Sequence, residues 1–159
     1  MSMIFTTMEA YLKTLVVEFT TMLEEAVRNS RIDMDSLFDE HYVKTAEEGK
    51  FKVRSNRFFD TEVLPLLKRW NLKDRHLLYV VAMDRNGYMP THIMPARALV
   101  KMTDPVSLSG AKSSRLVAQP FRRPAAAGGE LAMDMAMPIT VKGRHWGCLR
   151  IGYMPDAGS

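Results

Sequence analysis

Residues 131–153 read LAMDMAMPITVKGRHWGCLRIGY. Leu131, Met133, Met135, Met137, Ile139 and Val141 alternate with Ala132, Asp134, Ala136, Pro138, Thr140 and Lys142. That is the period-two pattern of a half-buried strand. Lys142-Gly143 begins a turn, and Trp146 to Tyr153 is the returning strand. Strict alternation predicts Leu149, Ile151 and Tyr153 on one face, with Trp146, Cys148 and Arg150 on the other. The chain therefore ends in a long antiparallel hairpin.

Working back toward the N-terminus, Pro124 to Gly129 is a loop, Arg115 to Ala118 a short strand and Ala96 to Met102 a short helix. Leu77 to Met83 is a continuous β-prone run, the pattern of a central strand buried on both faces. Asn86-Gly87 follows it and predicts a hairpin turn, because both residues tolerate positive φ. Tyr88 to Ile93 is the expected return strand, kept at an edge by Pro90.

Upstream the pattern is helical. Phe58 to Trp70 predicts a helix with a kink or break near Leu64, before Pro65. A second helix is expected from about Asp35 to Glu48, capped by Asp33 or Asp35 and ended by Gly49. Over the first 28 residues Phe5, Met8, Leu12, Leu15, Phe19, Met22 and Ala26 recur at heptad spacing. This helix covers its own core, or also pairs with a second copy. The predicted fold class is α+β: N-terminal helices followed by an antiparallel sheet of about five strands. The expected organisation is an N-terminal helical region at 1–57, a core at 58–154 and a tail at 155–159.

At 159 residues the chain is one domain with room for one core. Lys+Arg 22 against Asp+Glu 18 leaves +4, too weak an excess to indicate nucleic acid. A single cysteine, Cys148, excludes an internal disulfide framework and is expected to be buried and inert. The longest apolar run, Leu77 to Met83, is far short of the roughly 20 residues of a membrane span. No membrane contact is expected, and the expected location is cytoplasmic, either as a stand-alone chain or as a soluble piece of a membrane receptor. Thirteen methionines are unusual. Met133, Met135 and Met137 on one strand face, with Met83 nearby and Met8 and Met22 on the helix seam, suggest deformable packing between sheet and helix.

No glycine-rich phosphate loop, HExxH, GxSxG or CxxCH is present, and no nucleophile–base pair can be nominated. An enzyme is not expected, nor a metal or cofactor. His41 and His76 read as surface residues, and Asp84 as a turn former. The densest polar cluster is Arg144-His145-Trp146 with Arg150. Asp134 can reach Arg150 across the ladder. The pair is either a structural ion pair or part of a pocket, where arginine grips a carboxylate and small Ala132 and Ala136 leave room.

Two stretches resemble a known family: Asp84-Arg85-Asn86-Gly87-Tyr88-Met89-Pro90-Thr91-His92, and PITVKGRHWGCLRIGY at 138–153. They are similar to the Cache/PAS-like sensor domain of bacterial methyl-accepting chemotaxis proteins and related signal transducers. The likeness covers about Phe58 to Tyr153, and Ile93 stands where that family carries asparagine. The resemblance implies a five- or six-stranded antiparallel sheet with long helices packed on one side. It implies a small-molecule pocket between the sheet and the segment joining the hairpins, and a homodimer formed through the N-terminal helix. With the polar cluster it nominates Arg144, His145, Trp146, Arg150, Tyr88 and His92 as ligand-binding residues. Arginine would hold an anionic group such as a small carboxylate. Trp146 and Tyr88 would give apolar contact, and His92 or His145 a hydrogen bond. A signalling partner protein is implied for output. Two rivals stay open: a structural interaction module without a small ligand, and a non-covalent haem or redox sensor.

Overall fold

The computed structural model describes residues 3–155; the end of the predicted tail and the first two residues lie outside this range. Helix α1 (Met3–Arg28) buries Met8, Leu12, Leu15, Phe19, Leu23 and Ala26. The heptad positions Phe5 and Met22 are only partly buried beside them. This stripe lies against the sheet, so the seam is occupied by the chain's own core. A short helix α2 (Met34–Leu37) follows, capped by the Asp33 carboxylate accepting from Ser36 N–H.

Strands β1 (Val43–Lys44) and β2 (Phe51–Lys52) form a small hairpin. Helix α3 (Asn56–Phe58), a π-helical segment (Phe59–Val63) and α4 (Leu64–Asn71) then run on without interruption. The predicted disturbance before Pro65 takes the form of that π turn, which absorbs the missing proline N–H. Strand β3 (Leu77–Asp84), helix α5 (Pro105–Lys112), strand β4 (Val117–Arg122), strand β5 (Leu131–Val141) and strand β6 (Arg144–Tyr153) complete the chain. The four-stranded sheet is antiparallel with order β3-β6-β5-β4. The architecture is α+β, with α1 across one face of the sheet and the segment 85–116 on the other side.

Several local expectations give way to tertiary partners. The helix expected over 35–48 ends at Leu37. Asp39 instead accepts from the backbone N–H of His41 and Arg54, and Tyr42 reaches across to donate to Asp84 at 2.5 Å. Those contacts draw the chain out of the helix. Leu77 to Met83 is buried but lies at a sheet edge, not in the centre; the central strands are β5 and β6. Tyr88 to Ile93 does not return along β3. The Asp84 carboxylate accepts both Asn86 N–H and Tyr88 N–H at 2.9 Å, closing a tight turn. Residues beyond it pair with 99–101, through Met89 N–H to Val100 and a Tyr88–Lys101 bridge. For the same reason no helix spans 96–102; only Pro95–Arg97 makes a 3-10 turn, and Leu99 takes a positive φ of 69°. The helix of this region lies later, in α5.

The hairpin of residues 131–153 forms as read, with Lys142 (φ 48°) and Gly143 (φ 80°) at its tip. One feature departs from strict alternation. Ile139 pairs with Gly147 but Thr140 pairs with His145, so Trp146 is the extra residue of a bulge. Trp146 therefore turns to the helix face. It stacks on Phe59 at 5.3 Å and meets Phe19 edge-on at 6.1 Å, and its indole N–H donates to Leu37 O at 3.2 Å. Cys148 and Arg150 stay on the opposite face, as predicted.

Next to the bulge, Gly147 lies directly under β3. A Cβ there would sit 2.0 Å from Met83 O, so only glycine lets the strands pair at this register. Gly147→Ala is expected to destabilise the fold by about 1–3 kcal/mol, the range for overpacking a filled site. Urea denaturation checks this; an unchanged midpoint would contradict the register.

Candidate functional site

The face of the sheet turned away from α1 carries its charge. Asp134 on β5 and Arg150 on β6 are both buried, at 1% and 8% exposure. Arg150 Nε and Nη2 donate to the same Asp134 oxygen at 3.0 and 2.7 Å. Nη1 donates to Ser107 Oγ on α5 at 2.8 Å and lies 3.6 Å from Met83 sulfur. Tyr79 on β3 donates its hydroxyl to that Asp134 oxygen, and its ring lies beside the guanidinium. Burial disfavours the Arg150 charge, but the Asp134 carboxylate outweighs it and holds the guanidinium above its ordinary pKa. Burial and then Asp134 push the Tyr79 phenol up, so it stays a neutral donor.

Helix α5 brings Ser107 to this pair. Asp104 caps it, accepting from Ser107 N–H at 3.0 Å, and Pro105 occupies its first turn. Gly110 lets the helix lie directly on β5: an added Cβ would meet Ala136 Cβ at 2.8 Å. The small-residue face of β5 is thus filled at Ala136 by α5.

Beside this contact a cavity of about 350 Å³ remains between sheet and crossing segment. Tyr79, Val81 and Arg150 form its floor, and Met89, Met102, Val106 and Phe121 supply apolar walls. His92, Arg97, Asp104 and Arg122 bring polar groups to it. His92 is 6% exposed, and its Nδ1 accepts from Met94 N–H at 2.9 Å. The ring proton of the neutral form is therefore on Nε2. Burial, with the nearby Arg97 charge, lowers the His92 pKa to about 4, so the ring is neutral near pH 7.

A larger depression of about 560 Å³ lies past the end of α1, around Arg31, Arg57 and Glu62. It is polar and solvent-open, and its Arg31 already pairs with Glu62 at 3.3 Å. The smaller cavity has the apolar walls and few converging polar groups that ligand sites share.

Of the six residues nominated from sequence, His92 and Arg150 line this cavity. The others lie elsewhere. Tyr88 is fully buried under the small hairpin, donating to Phe51 O at 2.7 Å and accepting from Asn56 at 2.9 Å. Arg144 sits over the Phe38 ring at 4.1 Å, and His145 Nε2 lies 2.9 Å from Gly147 O. Trp146 belongs to the helix-side core. The first motif is likewise absorbed by structure: Arg85 pairs with Glu40 at 2.6 Å, and Asn86 donates to Glu40 at 2.7 Å. Sequence reasoning missed Arg97, Asp104 and Ser107. A readable signal existed for two of them, since Asp104-Pro105-Val106-Ser107 is a helix-start pattern.

The chain is similar in structure to chemotaxis receptors. A methyl-accepting chemotaxis protein from Vibrio parahaemolyticus RIMD 2210633 aligns over 97% of this chain and 93% of its own, at 14% identity and a TM-score of 0.48. The ligand-binding domain of the Pseudomonas aeruginosa PAO1 amino-acid chemoreceptor PctC, in complex with GABA, aligns over 94% of this chain at 17% identity and a TM-score of 0.40. The chain spans 63% of that ligand-binding domain. No family model matches the chain, and no curated protein matches its sequence significantly. Among the described residues no helix is long and apolar enough to cross a membrane.

Two outcomes follow from the buried charges. Asp134→Ala leaves the Arg150 guanidinium buried without its counter-charge and is expected to cost about 3–5 kcal/mol. The double variant Asp134→Leu with Arg150→Met should recover most of that loss in urea denaturation. His92 binds its proton less readily in the folded chain, so the unfolded state takes up more protons between its ordinary pKa and about 4. Its contribution to stability is complete above that window and is lost as pH falls through it. His92→Gln should flatten the stability profile there relative to the parent chain; superimposable profiles would contradict the burial of this ring.

Proposed function

We propose that the chain is a sensory ligand-binding domain that takes a small molecule on the sheet face opposite α1. The observation that carries this is the cavity over Arg150, with apolar walls and three arginines against one aspartate in its lining. Such a site suits a compact apolar body bearing an anionic or strongly accepting group, a small carboxylate for example. The sequence resemblance to chemotaxis sensor domains points the same way. Residues 58–154 would form the sensing core and 1–57 the helical region that relays its state. The chain would act in the cytoplasm or as the soluble sensor piece of a membrane receptor.

Signal output would run through α1 to a second copy and on to a partner protein. The heptad seam is taken up by the sheet, so pairing would use the outer face. Met3, Thr7, Ala10, Thr14 and Val17 recur there at heptad spacing, exposed and uncharged. Val17, 67% exposed, has no core role, so Val17→Glu should weaken self-association in sedimentation without lowering thermal stability. Equal sedimentation of both proteins would remove α1 as the dimer helix.

Ligand binding is tested by calorimetry against small carboxylates and amino acids. At least one should bind, and Val106→Trp, which fills the cavity, should abolish the heat. If none binds, or if Val106→Trp binds like the parent, the sensor reading fails and an interaction module without a small ligand takes its place.

A further inference from the structure

The cavity presents several polar groups, but most are already used by the protein. Of the five N–H groups of Arg150, two go to Asp134, one to Ser107 and one toward Met83. The Tyr79 hydroxyl is taken by Asp134, and the Asp104 carboxylate by the start of α5. Arg122 donates to Gly129 O at 2.8 Å. Two cavity groups differ. His92 has Nδ1 committed to Met94 N–H, which leaves Nε2–H as a donor, and no described residue accepts from it. The Arg97 guanidinium has no hydrogen-bond acceptor or ion-pair partner among the described residues.

We propose that His92 and Arg97, on the crossing segment, seat the anionic group of the ligand, and that Arg150 is a positioning residue. This rests on the sensor reading above and assigns the polar end of its site. A ligand that claimed Arg150 would have to displace Asp134 or Ser107 and strand a buried carboxylate or hydroxyl. A ligand on His92 and Arg97 displaces only water. It also gives an acceptor to two donors of the cavity lining that have none among the described residues. The ligand's apolar body then lies toward Val81, Met89 and Phe121.

The charge environment adds a signature. The groups around His92 are Arg97 on its own segment, Asp104 at the start of α5, Arg122 on β4 and Arg150 on β6, the last offset by Asp134. These are three arginines against two carboxylates, so a carboxylate beside the ring offsets the remaining positive charge. It should move the His92 pKa up from about 4 toward its ordinary value. Binding should therefore tighten as pH falls through that range.

The test uses benzoate as probe and benzamide, its uncharged counterpart, on the full chain. Histidine ring NMR follows His92, backbone NMR follows Met89 and Phe121, and calorimetry gives affinity. Arg97 is exposed, so Arg97→Gln retains the fold. Benzoate is expected to shift Met89 and Phe121 and to raise the His92 pKa. Arg97→Gln should weaken benzoate about tenfold, the scale of one charged hydrogen bond, and leave benzamide nearly unchanged. If benzoate shifts Met89 and Phe121 while the His92 pKa stays put and Arg97→Gln binds as before, this assignment is overturned and the sensor reading survives. If neither benzoate nor any carboxylate of the calorimetric series moves a cavity resonance, both are overturned.

Discussion

A single extra residue in the last hairpin sorts the side chains of this protein. The bulge at Trp146 puts the indole on one face of β6, while Arg150 four positions later stays on the other. Without it, alternation would bring the largest aromatic of the strand and its buried guanidinium to the same side. With it, the helix face is wholly apolar where Phe19, Phe59 and Trp146 pack, and the charge is confined to the far face. The buried guanidinium then needs a counter-charge, and Asp134 on the neighbouring strand supplies it.

That arrangement links the cavity to the helix through two central strands. Arg150 and Asp134 sit on the cavity side of β6 and β5, while Leu149, Ile151, Met133, Met135 and Met137 sit on the α1 side. Ser107 ties α5 to the same guanidinium. A shift of α5 is therefore felt by β5 and β6 directly, and α1 rests on both. The methionines fall on both sides of this path. Met8, Met22, Met133, Met135 and Met137 meet at the helix interface, whereas Met83, Met89 and Met102 cluster on the cavity side. Met83 thus lies across the sheet from the three strand methionines that the sequence suggested as its neighbours. Unbranched thioether side chains let both interfaces repack at little expense.

The strongest periodicities were legible. Helix α1, the 131–153 hairpin and the α+β order follow from patterns sustained over many residues, and the Asp134–Arg150 pair from strand register. Failures cluster where a side chain from far along the chain captures local backbone or side-chain groups. Asp39 holds the Arg54 N–H, and Tyr42 reaches Asp84, so residues 39–48 leave the helix their pattern suggested. Leu99 to Lys101 are drawn away by backbone instead, bonding to 50–51 and 88–89. Trp146 was misplaced because a bulge has no signature in an alternating pattern. Of the residues nominated from sequence, Arg150 and His92 line the cavity; Arg97, on the irregular part of the crossing segment, carries no local pattern that would nominate it.

The central claim is that the sheet face over Arg150, opposite α1, receives a small molecule. Methyl NMR on methionine-labelled protein tests it most directly, because the chain carries its own reporters on both faces. On titration with small carboxylates, Met89 and Met102 should shift first and furthest, ahead of Met8 and Met135 beneath α1. Titrations that leave Met89 and Met102 unmoved would contradict it.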